Sequence, residues 1–366
     1  MRIAFCYNVR HAGAGLDSAA QAEAEFDEPA TIAAIHDAIE ANGHTCIDVE
    51  ADEEAFETLR DLRGSIDFVF NIAEGQRGQS REAQMPAMLE MLDIPFSHSG
   101  SLTHAISLDK ALTKKVWRFH GLPTPRFIVL GDAPGEIVVD ALRFPVLVKP
   151  NAEGSSKGLF NDNLIEHPAD LVPKVAEIRA LVGGAVLVEE FLRGREFSVT
   201  VLGNPGIGEG PIVLPIVEQD YSVFPPELPN FASYEVKWFF EDSEAGRAAV
   251  RCPPDLTSPE RAEIELLATQ AFLALDSRDV ARVDMRLDDD GRPQLLEINT
   301  LPGMYHDPLV ISYFPVAARA AGWDYTRMIG ELLDCTISRL AGRPLAVPGV
   351  IDLRETLAQE APTSVP

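Results

Sequence analysis

The 366 residues include 57 acidic against 31 basic side chains, a net charge of −26, which repels nucleic-acid backbones and anionic lipid surfaces and excludes both as partners. With 46% hydrophobic and 24% charged residues, the chain has the balance of an ordinary globular protein of two or three domains, not of a fibre or a disordered chain. Cys6, Cys46, Cys252 and Cys335 are far apart with no CxxC spacing, which fits reduced core thiols in the cytoplasm better than a disulfide framework or a zinc cluster.

The opening MRIAFCYNV is too short for a signal peptide or a membrane span. Ile3 to Val9 reads as a buried strand, and a loop from Arg10 to Ala24 leads to a helix whose Ile32, Ile35 and Ile39 share one face. A strand near Cys46 to Glu50, a helix near Glu53 to Arg63 and a strand Ile66 to Asn71 complete a β-α-β-α-β run, the pattern of a parallel sheet. Ligands of such sheets bind beyond the carboxyl ends of the strands, so the loops after Val9 and Asn71 form the functional edge. A helix Glu82 to Leu92 stops at Asp93, and Asp109 caps a helix Lys110 to His120 that ends at Gly121 and Pro123.

Phe127 to Leu130 and Phe144 to Lys149 read as strands of a smaller domain, the second entering the loop PNAEGSSKG, residues 150–158. Small residues there let backbone N–H groups approach phosphate oxygens, and Ser155 and Ser156 add hydroxyl donors; a plain surface hairpin explains the glycines as well. Residues 186–202 hold two apolar strands, in which Val188, Phe191 and Leu192 suit the wall of a base pocket and Glu189 and Glu196 suit ribose contacts. The proline- and aromatic-rich segment 219–256 has the profile of a long loop or lid. A helix follows from Pro259 to Leu275.

The stretch RVDMRLDDDGRPQLLEIN, residues 282–299, carries the chemistry. A hairpin centred on Asp290-Gly291, both at positive φ in a type I′ turn, pairs Asp284 with Glu297 and Arg282 with Asn299, all four on one face. Two carboxylates and an amide oxygen are hard ligands suited to Mg²⁺, with Mn²⁺ as a substitute, and an arginine beside them can stabilise a phosphoryl group or an oxyanion. A solvated hairpin with paired surface charges is the alternative. Val316 to Leu340 is helical, interrupted at Gly322-Trp323, and Glu360 to Pro366 is small and polar enough to fray.

Taken in order, Asp109-Lys110, FPVLVKP with EGSSKG, VEEFLRGREFSV, VKW, RCPPDL, RVDM and LLEINTLPGM resemble the D-alanine–D-alanine ligase family of the ATP-grasp superfamily, over roughly residues 1–335. The resemblance implies an α/β (α+β) fold of three domains: a Rossmann-like unit 1–103, a central unit 104–185 and a C-terminal unit 186–345 with lid 219–256, followed by a tail 346–366. It implies ATP held between the last two units and amide formation through an acyl phosphate, in the cytoplasm, on small amino-acid substrates of peptidoglycan synthesis, with dimerisation through the first unit. Carried over by motif, Lys110 and Lys149 hold ATP phosphates, Ser155 and Ser156 cover them, and Lys237 reaches the γ-phosphate. Glu189, Phe191, Leu192, Glu196 and Phe231 surround the nucleoside, Asp284, Glu297 and Asn299 bind magnesium, and Arg282 stabilises the tetrahedral intermediate.

Departures fall at the amino-acid end. Glu74-Gly75 stands where the family has His-Gly, Lys237 is followed by Trp238 instead of Tyr, and Tyr305-His306-Asp307-Pro308 precedes Leu309 where a serine that holds the second substrate's carboxylate is expected. Glu28 is the candidate for the glutamate that holds the first amine, and Glu74, His98 and His306 are candidate substrate contacts whose polar loops favour the plainer reading of solvated side chains. A ligase of D-alanine, a ligase of another amino-acid pair, a nucleotide-binding regulatory protein and a kinase remain open readings, the last leaving Arg282 without an acyl oxyanion to serve.

Overall fold

The computed structural model describes residues 1–11, 23–131, 142–208 and 210–342; the tail 346–366 expected from the sequence lies outside them. The chain begins with β1 (Arg2–Tyr7), α1 (Pro29–Ala41), β2 (Thr45–Glu50), α2 (Ala55–Leu62), β3 (Phe68–Asn71) and α3 (Gln84–Leu92). The three strands form a parallel sheet in the order β2-β1-β3, as their β-α-β spacing predicts. Alternate residues of β1 serve two cores: Ile3 and Phe5 pack toward Ile32, Ile35 and Ile39 of α1, and Ala4 and Cys6 pack with Leu59 of α2 and Leu89 of α3. A strand buried on both faces has no polar alternation, which is why RIAFCY reads as a continuous apolar run.

The next elements are α4 (Ser101–Leu108), α5 (Lys110–Phe119), β4 (Phe127–Leu130), β5 (Val146–Pro150), β6 (Leu164–Ile165), α6 (Pro168–Val182) and β7 (Val186–Glu190). The Asp109 carboxylate accepts from the Leu112 N–H at 2.8 Å and caps α5 as expected. The four strands make an antiparallel sheet ordered β4-β7-β5-β6. Leu171, Val175 and Ile178 of α6 cover one face against Val146, Val148, Val186 and Val188, leaving Leu147 and Lys149 for the other. Because β7 lies between β4 and β5, the division expected at 185 cuts through this sheet; by strand pairing the connection to the next unit is 191–195.

The third unit comprises β8 (Glu196–Leu202), β9 (Ile212–Val213), β10 (Val217–Gln219), α7 (Glu244–Ala248), β11 (Val250–Arg251), α8 (Ser258–Ala274), β12 (Val280–Leu287), β13 (Pro293–Asn299), α9 (Tyr313–Ala320) and α10 (Tyr325–Leu340). Its antiparallel sheet runs β11-β10-β8-β12-β13, with β9 paired to β8. Phe197, Val199 and Val201 of β8 and Val283 and Met285 of β12 pack on Ile264, Ala268 and Phe272 of α8, so Glu196, Ser198, Arg282 and Asp284 are left on the opposite face. Met328, Ile329, Leu332 and Leu333 of α10 join the core of the first sheet, so the first and third units share one apolar interior.

The segment between β10 and α8 is more ordered than a loop. Tyr221, Phe224, Val236 and Ala249 form a small core of their own around a π-helical turn, Val236–Phe240.

Candidate active site

The cleft face of the third sheet rests on the pairing of β12 with β13. Arg282 lies opposite Asn299 and Asp284 opposite Glu297, the pairing read from the sequence, but the turn that sets it differs. Of Asp290 and Gly291, only Gly291 takes a positive φ, and the loop spans 288–292, with Leu287 opposite Pro293. Asp288 closes that loop, its carboxylate accepting from the N–H groups of Asp290 and Arg292. A bulge at Leu296 then shifts the register by one residue, so Leu295 stays in the core while Glu297 and Asn299 face the cleft. The expected register is reached because the longer turn and the bulge compensate each other.

On this face Arg282 holds Asp284 through two nitrogens, at 2.9 Å from Nε and 2.7 Å from Nη2. Ser198 Oγ donates to Asp284 at 2.6 Å and Asn299 Nδ2 at 3.1 Å. Lys110 Nζ lies 3.3 Å from Glu297 and donates to the Glu153 carbonyl at 2.6 Å, tying α5 to both the hairpin and the loop after β5. Burial by itself would raise the pKa of Glu297, but Lys110, Lys149 and Arg282 outweigh it and hold the carboxyl down at about 2. Glu297 is therefore an anion at any physiological pH.

Lys149 projects from β5 to within 2.6 Å of Glu189, which also meets Lys114 at 2.9 Å. This corrects one expectation: the Glu189 carboxylate is buried between two lysines and does not line the cleft. Against the cost of burial, Lys114 and Lys149 keep Glu189 down at about 2, and burial pushes Lys114 down to about 8. Phe191 and Leu192 also lie behind the cleft wall; Phe191 meets Phe231 edge-on at 6.0 Å, and it is Phe231 that lines the cavity. Glu196 does line it, its carboxylate held by Arg286 at 3.3 Å and the Tyr221 hydroxyl at 3.0 Å.

The loop after β5 and the segment 219–256 meet over the cleft. Ser155 and Ser156 both take positive φ, at 48° and 57°, an uncommon conformation for serine. Ser156 Oγ donates to the Ala232 carbonyl at 2.7 Å, and the Trp238 indole N–H donates to the Ser155 carbonyl at 3.2 Å. Lys237 Nζ reaches Ser155 Oγ at 3.5 Å, and burial lowers its pKa. Trp238, which replaces a phenol expected there, thus keeps a polar contact through its ring nitrogen.

At the other end the cleft is lined by Glu25, Asp27, Glu74 and Glu82 from the loops of the first sheet, and by Trp238 and Tyr305. Burial pushes Asp27 up to about 7, and burial with neighbouring Glu82 and Glu25 raises Glu74. Gly75, at φ 78°, must be glycine: a Cβ there would stand 2.0 Å from the Arg81 carbonyl oxygen. Arg81 pairs with Glu25, donates to the Ala152 carbonyl at 3.0 Å and lies 3.5 Å from Glu153, so it joins this end to the phosphate-side loop.

Three candidates fall elsewhere. Glu28 precedes α1 at its N-cap position, beyond the lining, with its half-exposed carboxylate on Arg10 and not on the helix. His98 is buried under Phe70 with its backbone N–H on Asp279, and burial pushes it down to about 3. His306 packs edge-on against Tyr325 and does not line the cleft. Ser312 was missed: it starts α9, lines the cleft and donates to the Gly303 carbonyl at 2.5 Å. No serine stands immediately before Leu309; Ser312 lies three residues beyond it, after the loop Tyr305–Pro308.

Residues 116–334 match the family model described as D-ala D-ala ligase C-terminus. The chain belongs to the D-alanine–D-alanine ligase family. It is 34% identical to a D-alanine–D-alanine ligase of Psychrobacter, over 74% of each chain, and 35% identical to that of Bordetella pertussis, over 82% of this chain and 87% of the other. It is also 35% identical to an uncharacterised protein, y4sG, of Sinorhizobium fredii, over 83% of this chain and 87% of that one. The structure of a D-alanine–D-alanine ligase from Bacillus anthracis, complexed with ATP, superposes with a TM-score of 0.69 at 23% identity, covering 93% of this chain and 99% of that chain, and establishes the α/β ATP-grasp architecture. Among the described residues, no helix of this family member is long and apolar enough to cross a membrane.

Proposed function

We propose that the protein is an ATP-dependent carboxylate–amine ligase that joins two amino acids through an acyl phosphate. The observation that carries this is the convergence, in one cleft, of Lys110, Lys149, Lys237 and Arg282 with Asp284, Glu297 and Asn299. A carboxylate is a poor electrophile, and phosphorylation by ATP makes it a good one at the cost of crowding negative charge around the transferring group. These three lysines and Arg282, with Lys157 also lining the cleft, offset that charge, and the relatives' names agree with the reaction.

Asp284, Glu297 and Asn299 fit a hard divalent cation: two carboxylates and an amide on neighbouring strands, with Glu297 an anion throughout the working pH range. They would hold Mg²⁺ or Mn²⁺, which when bound neutralises phosphate oxygens in the transition state. Lys149, kept in place by Glu189, and Lys110, braced on the Glu153 carbonyl, would contact phosphates, with Ser155, Ser156 and Lys237 closing over them. Phe231, Leu147 and Glu196 would receive the nucleoside. Arg282, already aligned by Asp284, would stabilise the oxyanion formed when the amine attacks, an effect of roughly 3–4 kcal/mol for comparable donors. Ser312 at the start of α9 would take the acceptor's carboxylate.

The carboxylates Glu25, Asp27, Glu74 and Glu82 support a pair of amino acids selected by contacts of this chain's own, so D-alanine is the first substrate to test and not the last. The same reading carries action in the cytoplasm and a homodimer through the first unit. A panel of D- and L-amino acids, assayed for ATP-dependent phosphate release with magnesium, tests it. Release with one amino acid or one pair supports the ligase; silence across the panel, with ATP still bound, favours a nucleotide-binding regulator.

A further inference from the structure

We propose that Glu241 is the general base that takes the proton from the acceptor's ammonium group. The inference rests on the ligase reading and assigns a step that the lysine and metal-ligand groups leave open. An amino acid carries its nitrogen as an ammonium ion near neutral pH, which has no lone pair to attack an acyl phosphate. A carboxylate in the cleft that no cation neutralises is well suited to accept that proton.

The other carboxylates on this side of the cleft are committed: Asp284 to Arg282 at 2.7 Å, Glu297 to Lys110 at 3.3 Å, Glu196 to Arg286 at 3.3 Å and Glu153 to Lys157 at 3.1 Å. Glu241 lines the same cavity, is 8% exposed, and has no ion pair among the described residues. Its hydrogen-bond partner is a neutral phenol, Tyr313, whose hydroxyl donates to Oε1 at 2.8 Å. Tyr313 follows Ser312 directly, and its ring lies 5.5 Å from the Arg282 guanidinium. Glu241 thus stands between the turn that carries Lys237 and the start of α9, where the acyl phosphate and the acceptor are to meet.

The charged and titratable groups that face it are Lys237 and Asp242 on its own segment, Arg282 on β12, Tyr313 on α9 and Tyr221 across the small core. Burial, opposed by Lys237 and the Tyr313 hydrogen bond, sets Glu241 at about 6, basic enough to accept a proton and still ionised at neutral pH. In the step, the ammonium gives one proton to the Glu241 carboxylate, and the freed lone pair forms the C–N bond. The C–O bond to phosphorus breaks, its electrons leave with inorganic phosphate, and phosphate takes the second proton lost from nitrogen. Glu241 then returns its proton to water.

The test compares two acceptors in wild-type and Glu241→Gln protein: the amino acid that supports turnover, and hydroxylamine, which is already neutral at mildly alkaline pH and traps the acyl phosphate as a hydroxamate. Glutamine keeps an acceptor for the Tyr313 hydroxyl and cannot take a proton. The expected result is a loss of amide formation of roughly 10²–10⁴-fold, the usual worth of a general base, with hydroxamate formation within a few-fold of wild type. An equal loss with both acceptors, or no loss with either, overturns the assignment. Tyr313→Phe supplies a second reading: losing a donor should move the acidic limb of the amide-forming pH profile upward, and an unmoved limb counts against Glu241. Wild-type protein forming neither product would overturn the ligase reading itself, whereas wild-type activity that Glu241→Gln leaves intact overturns only this proposal.

Discussion

The two ends of the cleft are built on different principles. At the hairpin end the acids that stand on strands are each matched by a cation, Asp284 by Arg282, Glu297 by Lys110 and Glu189 by Lys114 and Lys149, while Glu241 beside the π-helical turn is left without one among the described residues. At the far end they stand on loops of the first unit, where Arg81 is set against Glu25 and Glu153 while Glu74 makes no ion pair among the described residues. Fixed register and matched charge preorganise a site for chemistry that does not vary, here phosphate activation. Loops with unmatched acids can be altered without disturbing the sheet, and that is where the sequence leads one to expect departures from the family.

Breaking the matched end should cost most. Glu189→Gln leaves two lysines facing a neutral group in the interior, and a loss of about 3–5 kcal/mol in urea unfolding is expected, as for other broken buried pairs. Because its folded pKa is depressed to about 2, Glu189 contributes stability that is present above the unfolded carboxylate range and lost as pH falls toward 2. The variant should therefore show a shallower loss of stability between pH 5 and 2 in denaturant titrations, a window that runs from above the ordinary carboxylate range of about 4 to that folded value.

Next in size, Asp284→Asn and Glu297→Gln should each lower turnover beyond the roughly 10–100-fold that loss of an outer-shell partner costs, with the fold retained by circular dichroism. An unchanged rate in either removes it from the proposed metal site. At the unmatched end, Glu74→Gln should change KM for the amino acid by about tenfold, the worth of ~1.4 kcal/mol, and leave KM for ATP alone. Equal changes in both would mean that the two ends are not separable. Smallest is Ser156→Ala, which removes one hydrogen bond to the Ala232 carbonyl and should cost ~0.5–1.5 kcal/mol in closure of the loop, read as a modest rise in KM for ATP.

The same contrast explains what could be read from the residues. Strands and helices with one continuous apolar face, such as β1, α1 and β12, follow directly from periodicity. The helices α4 and α6 did not, because SLTHAISL is half polar and buries Thr103, His104 and Ser107, and α6 carries Pro173 inside it. Arg282, Asp284, Glu297 and Asn299 could be put on one face because period two fixes the face of a strand, whereas Lys149 was indicated by the family resemblance alone. Glu189 shares that periodicity, but its burial against Lys114 depends on a helix that sequence spacing cannot place. Glu28 and Ser312 show the limit for loops: Glu28 is half exposed at a helix cap, while Ser312 is brought to the cleft by a loop whose length alone says nothing of its path.

The central claim is that ATP converts a carboxylate to an acyl phosphate in this cleft, and oxygen transfer tests it most directly. The amino acid that supports phosphate release is supplied with ¹⁸O in its carboxylate, and the inorganic phosphate is analysed by mass. Transfer of one labelled oxygen to each phosphate is the predicted result; phosphate free of label, with product still formed, would contradict the account.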